Sequence, residues 1–158
     1  MRRNRGFSLI ELLIVVAIIL IIAAMAVPSY LHSKIAANES SAVASIRSIN
    51  TAQIAYNSAY PTAGFASSLS LLSGTTCTPP SSTGACLIDN LLATGTKSGY
   101  TFTLANVGSA PAATYTLTAA PTLINNSGDH YFCSFQDAVV RVSSSAISTC
   151  DPTVSAIN

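Results

Sequence analysis

The sequence predicts an α+β fold, in which a long N-terminal helix packs on a small C-terminal antiparallel sheet. Three observations carry this. Residues 12–27, LLIVVAIILIIAAMAV, form an unbroken apolar run. Beyond it, apolar residues recur at three, four or seven positions as far as Tyr56, the repeat of a one-sided helix. After Gly99 the repeat shortens to two, the signature of strands. Helix first and strands after is the order of an α+β domain. A chain of 158 residues holds one compact domain and an extended element besides.

Residues 1–6 contain Arg2, Arg3 and Arg5, three of the seven positive charges in the chain. Gly6 follows, and then Phe7-Ser8-Leu9-Ile10-Glu11 leads into the apolar run. An ordinary secretory signal has its small-residue cleavage site after the apolar stretch. Here the small residue comes before it. A cut after Gly6 would remove residues 1–6 as a leader and leave the apolar helix on the mature chain. The basic head stays cytoplasmic under the positive-inside rule, and the remainder faces outward. Residues 7–27 would span roughly 30 Å as a helix, the thickness of a bilayer core. Residues 7–28 are therefore assigned as a helix that resides in the membrane.

Glu11 is a carboxylate inside that helix, where a charge costs a few kcal/mol near the bilayer centre. Cleavage after Gly6 would free an ammonium on Phe7, one helical turn away. The two groups could pair within a subunit or between neighbours. In the other reading, Glu11 rests at headgroup level in a plain signal anchor. Pro28 removes a hydrogen bond and crowds the preceding turn. It marks either a kink or the exit from the membrane.

The run Gly6-Phe7-Ser8-Leu9-Ile10-Glu11-Leu12 resembles the processing site of type IV prepilins and pseudopilins. The resemblance implies that a membrane aspartyl peptidase cuts after Gly6 and N-methylates Phe7. It implies that Glu11 sets subunit register in a growing filament, and that Pro28 stands where the pilin helix kinks or melts on assembly. The function implied is that of a structural subunit of a type IV pilus, without catalysis of its own and without a cofactor. Such a subunit is held single-pass in the bacterial inner membrane, domain periplasmic, and then built into an extracellular pilus. The partners implied are identical subunits, the prepilin peptidase and the pilus assembly platform. A pseudopilin of a type II secretion system, or a minor pilin, would share all these N-terminal features. A plain membrane-anchored binding or enzyme domain is a reading of a different class.

Residues 29–60 read as an amphipathic continuation. Leu31, Ile35, Ala42, Ile46, Ile49 and Tyr56 form the apolar stripe, and Lys34, Glu39, Arg47 and Asn50 fall mainly on the other faces. The stripe reads as packing within the domain, and the whole helix as a filament spine of about 50 residues. Pro61 and Gly64 end it. Residues 61–98 are loop-rich, with turn signals at Gly74, Pro79-Pro80, Gly84 and Gly95. Short helices are expected near 67–72 and 88–93. The position matches the variable loop region of family pilins.

Residues 99–158 are expected to form the sheet and a disulfide-closed C-terminal region. Tyr100, Phe102 and Leu104 alternate with threonines, and Tyr115 and Leu117 do the same in ATYTLTA. HYFCSF and AVVRVS follow, separated by Gln136-Asp137. These read as three or four antiparallel strands. GYTFTL, TYTLTAAP and HYFCSFQDAVVR in this order are similar, more loosely, to the small sheet of pseudopilin-type proteins.

Cys77, Cys86, Cys133 and Cys150 have no CxxC spacing, and an even count in an exported chain favours two disulfides. Three pairings are possible. Cys77–Cys86 with Cys133–Cys150 is favoured because short loops close most easily. A closed loop of about 15 residues stabilises by roughly 3 kcal/mol in the chain-entropy model. Four reduced thiols in a core are the alternative.

Charged residues make up 8% of the chain, against roughly 25% in an ordinary soluble domain. Without residues 1–6, four basic and six acidic side chains remain, so nucleic-acid binding by a basic patch has little support. His32 and His130 belong to no recognisable triad. Asp89, Asp129, Asp137 and Asp151 are scattered, and no metal site is assigned. Some secretion pseudopilins that resemble this chain bind calcium beside their sheet, which leaves a weak calcium site open. Phe7, Tyr30, Tyr56 and Tyr60 are too sparse for a stacked ladder and read as interface anchoring and packing. Asn125-Asn126-Ser127 matches the N-linked acceptor pattern, which is short and common by chance.

Overall fold

The computed structural model describes residues 7–74, 77, 79–107 and 111–157. The chain divides into two compact units, Met1–Lys34 and Ile35–Asn158. The first helix, α1 (Leu9–Ala59), runs for 51 residues with Pro28 inside it.

In the first unit every described residue of α1 is exposed except half-buried Ala23. Its most apolar window has a mean hydropathy of 3.1 and is long enough to cross a membrane. A helix that is apolar on all sides finds its place in lipid or among other helices.

In the second unit α1 buries one stripe, containing Ile35, Ala42, Ile46, Ile49 and Tyr56. The stripe also carries Ser45, Asn50 and Gln53. Asn50, whose polarity places it among the outward residues, is buried instead, because β3, β4 and the β4–β5 connection supply its hydrogen bonds. Its Nδ2 donates to Ser134 Oγ at 2.8 Å and to the Ala138 carbonyl at 3.2 Å. Its Oδ1 accepts from the Tyr115 hydroxyl at 3.0 Å. Gln53 exchanges two hydrogen bonds with the backbone of Ala66, at 2.9 and 2.8 Å. Helix, loop region and sheet are thus tied through polar groups that water cannot reach.

After Ala59 the Ala63 and Gly64 amides both donate to the Tyr60 carbonyl. Gly64 has φ +75°, and its backbone pairs with Ala112 so closely that a Cβ would collide with the Ala112 main chain. Gly64→Ala should lower stability by about 2–3 kcal/mol, from positive φ and displaced backbone together. The loss reads as a drop of several degrees in melting temperature. An unchanged melt would show that the 60–65 turn relaxes freely.

The loop region holds two single-turn helices, α2 (Leu69–Leu72) and α3 (Asn90–Ala93). Leu69, Leu72 and Leu92 anchor them in the core. Disulfides join Cys77 to Cys86 and Cys133 to Cys150.

The sheet has five strands in sequential antiparallel order: β1 (Thr96–Lys97), β2 (Tyr100–Val107), β3 (Thr114–Pro121), β4 (Tyr131–Phe135) and β5 (Arg141–Ser143). Alternation holds in β2 and β3, which turn Tyr100, Phe102, Tyr115, Leu117 and Ala119 into the core. Three details depart from the sequence expectation. β1 adds a strand, because the positive φ of Ser98 and Gly99 turns the chain too tightly for two residues to show a pattern. β5 starts only at Arg141, since Ala138 has φ 59° and Val139 and Val140 stay outside the strand. His130 precedes β4 and does not begin it.

In β4, Phe132 through Phe135 are all buried. Phe132 and Ser134 face α1, while Cys133 and Phe135 pack with Cys150 on the other side. The segment closed by Cys133–Cys150 covers that second face. The C-terminal tail then lies along β5, with Arg141 bridged to Ala156 and the Ile157 amide donating to Val140.

Candidate functional site

Gly6, the expected cleavage residue, lies outside the described residues. Phe7 stands before the first helical residue and is exposed. The Ser8 carbonyl accepts the Leu12 amide at 3.2 Å, which sets the first turn. Glu11 sits in that turn, where a negative charge meets the positive end of the helix dipole. Residues 7 and 11 are four apart, a spacing that puts them on one helical face once the helix extends to Phe7. Among the described residues Glu11 makes no ion pair. Pro28 lies within the helical span, so the chain passes it without leaving the α conformation.

In the second unit a clasp holds the β3–β4 connection against α1. Glu39 Oε1 accepts the amides of Asp129 and His130 at 2.9 and 3.1 Å, and lies 2.9 Å from His130 Nδ1. Asn38 Nδ2 donates to the Ser127 carbonyl at 2.9 Å. Tyr100 reaches the same place, its hydroxyl donating to the His130 carbonyl at 2.8 Å. Sequence reasoning found no partner for His130, because Glu39 is 91 positions away and no periodicity links them.

Burial alone would raise the Glu39 carboxyl. The Asp129 amide, the His130 side chain and its charge outweigh burial and hold it below the ordinary 4.5. A depressed carboxyl stabilises the fold above its unfolded value and loses that contribution as pH falls through the folded value. The clasp is therefore intact at neutral pH and weakens as pH falls below the ordinary 4.5 and on through the lower folded value. Amide hydrogen exchange across residues 123–130 should accelerate there relative to β2 and β3. Equal acceleration in all three segments would mean that the clasp does not open locally. In Glu39→Gln this acid-dependent step should disappear.

The four aspartates serve different places. Asp89 caps α3 by accepting the Leu92 amide at 2.7 Å, and pairs with Lys97 at 3.1 Å. Asp137 pairs with Arg141 at 2.6 Å, and that guanidinium lies 4.3 Å from the Phe135 ring centre. Asp151 accepts from the Thr153 amide at 2.8 Å. Asp129 is exposed and makes no side-chain ion pair among the described residues. No three His, Cys, Asp or Glu side chains among the described residues stand close enough to share a metal. The Ser127 hydroxyl both donates to the Leu123 carbonyl and accepts its amide, at 3.0 Å, so the turn itself uses the serine of Asn125-Asn126-Ser127. Tyr56 and Tyr60 pack in a tilted pair with ring centres 5.0 Å apart, and the Tyr56 hydroxyl donates to the Ser82 carbonyl at 2.7 Å. His32 and Tyr30 are exposed on the first unit.

Residues 1–27 match the family described as the prokaryotic N-terminal methylation motif. The motif and the apolar helix behind it are similar to those of type IV pilins. A curated relative is the type IV major pilin protein PilA of Myxococcus xanthus (strain DK1622), 49% identical over 51 residues. That stretch is 32% of this chain and 23% of the relative, so the likeness spans about a quarter of that pilin's length. No solved structure matches the chain.

Proposed function

We propose that the chain is a structural subunit of a type IV pilus, without catalysis of its own. Prepilin peptidase cuts it after Gly6 and methylates Phe7, and an assembly platform polymerises it through α1. The observation that carries the reading is the apolar part of α1, exposed except at Ala23, with a single carboxylate, Glu11, four residues from the proposed new amino terminus. In the inner membrane lipid covers this surface, with the second unit in the periplasm. In the filament neighbouring subunits replace the lipid. A charge in that apolar interior needs a partner, and the ammonium of a neighbouring Phe7 supplies one for Glu11. Pro28 gives α1 a place to yield during the transfer.

Mass spectrometry of filaments sheared from the native cells tests this at the N-terminal peptide. The expected species begins at methylated Phe7. A Phe7-started form confined to the inner membrane would instead indicate a pseudopilin of a type II secretion system or a minor pilin. A start at Met1 or Arg2 in every fraction would favour a plain membrane-anchored binding domain.

A further inference from the structure

We propose that the β3–β4 turn of one copy, carrying Leu123, Ile124 and Asp129, seats in the groove between α1 and the sheet of a second copy, with Asp129 against the second copy's Arg47. The proposal rests on the filament reading and names a contact made by the second unit alone.

The turn is built as a rigid knob. The Asn126 and Ser127 amides both donate to the Leu123 carbonyl, and the Asn125 amide to Gly128. Asn38 and Glu39 fasten its C-terminal side to α1. With its backbone bonds satisfied internally, the turn still presents Leu123 and Ile124 to solvent at 64% and 53% exposure. No charged residue occurs from Thr122 to Gly128. Two bulky aliphatic side chains on an already ordered turn lose little further entropy on docking.

The groove measures about 530 Å³, with Ala36, Val43 and Ala44 on its helix side and Phe132, Val142 and Ile157 on its sheet side. A side-chain carbon needs roughly the volume share of a water molecule, so the eight carbons of Leu123 and Ile124 need about 240 Å³. Neither residue lines the groove of its own chain. Charge completes the match. Glu39 and His130 line one end of the groove and are paired with each other, while Arg47 lines it eight residues further along α1, and Asp129 immediately follows the uncharged turn. Neither side chain has an ion-pair partner among the described residues.

The register of the contact follows from α1. Asp129 is bonded to Glu39, and Arg47 lies eight residues further along, about 12 Å of helix. Between parallel copies, seating Asp129 on Arg47 displaces one copy by about that distance along α1. Different patches meet on the two sides. A heterologous contact with an axial shift extends into an open helical array and does not close as a dimer.

The test uses the full-length chain assembled into filaments in its native cells. Asp129→Arg and Arg47→Asp should each lower filament yield about tenfold, and the double reversal should restore it. Both side chains are exposed, so folding and N-terminal processing of each variant should match wild type. Ile124→Cys combined with Ala44→Cys should give covalent subunit ladders on oxidation of filaments, and neither single variant should. Normal yield in both reversals with no ladder overturns the contact while leaving the pilus reading intact. So does a double reversal that assembles no better than the singles. Shielding of Ile124→Cys from a maleimide in the unassembled membrane-held subunit, with free labelling in filaments, would assign the turn to the bilayer and also overturn it. Absence of wild-type filaments would instead remove the pilus reading.

Discussion

Glu11→Ala should insert into the membrane as well as wild type and yet lower the amount of surface filament about a hundredfold. Insertion is not impaired because the substitution deletes the one carboxylate from the apolar part of α1. In the proposed filament, assembly would suffer because the ammonium of a neighbouring Phe7 would lie in an apolar interior without its counter-charge. Breaking one side of a buried pair costs about 3–5 kcal/mol, and each 1.4 kcal/mol is tenfold in the equilibrium for adding a subunit. Glu11→Gln keeps the shape and removes the charge, so it should fail nearly as badly. Quantitative blots of sheared and membrane fractions separate the two steps. Wild-type piliation in Glu11→Ala would remove the register role of this carboxylate. Loss from the membrane fraction would place its role in insertion instead.

What the sequence made legible follows the physics of each segment. The basic head and the apolar run sit side by side in the chain, so the N-terminal motif and the membrane-length helix could be read from residue order. The α+β class was legible because the apolar repeat changes from that of a helix to that of a strand near Gly99. Polar residues inside the core were not. Asn50 and Gln53 look like solvent-facing positions until Tyr115, Ser134 and Ala66 are brought to them by the fold. Arg141 is buried although charged, because Asp137 neutralises it and the Phe135 ring receives its face. Continuous burial in β4 has a similar origin. A strand covered on both faces loses its alternation, and the second cover comes from chain that follows it. The Glu39–His130 clasp joins residues too far apart for any local pattern.

Asn50→Ala should be among the most destabilising single substitutions in the second unit, at about 3–4 kcal/mol. The side chain is 3% exposed and makes three hydrogen bonds across the helix–sheet interface. Its removal leaves the Tyr115 hydroxyl, Ser134 Oγ and the Ala138 carbonyl in a site that water does not readily enter. An orphaned buried group costs about 1–3 kcal/mol, and truncation adds a small cavity. Melting of the full chain in detergent, followed by the near-ultraviolet signal of its tyrosines, should fall by about 10–15 °C. Asn50→Leu fills the space but leaves the same groups unpaired, so it should recover only part of the loss. Exposed Ser48, bonded only to its own helix at Ala44, provides the control, and Ser48→Ala should change stability by less than about 0.5 kcal/mol. The network also sets an alkaline limit. Burial first, and the charge of Asp137 second, push the Tyr115 hydroxyl from 10.0 up to about 12. The unfolded chain therefore gives up this proton first, and the stability contribution is full below pH 10.0 and lost as pH rises towards about 12. Tyr115→Phe should flatten that alkaline loss. If Asn50→Ala melts within a degree or two of wild type, the polar bridge does not hold α1 to the sheet, and the apolar stripe around Ile46 and Ile49 carries that contact alone.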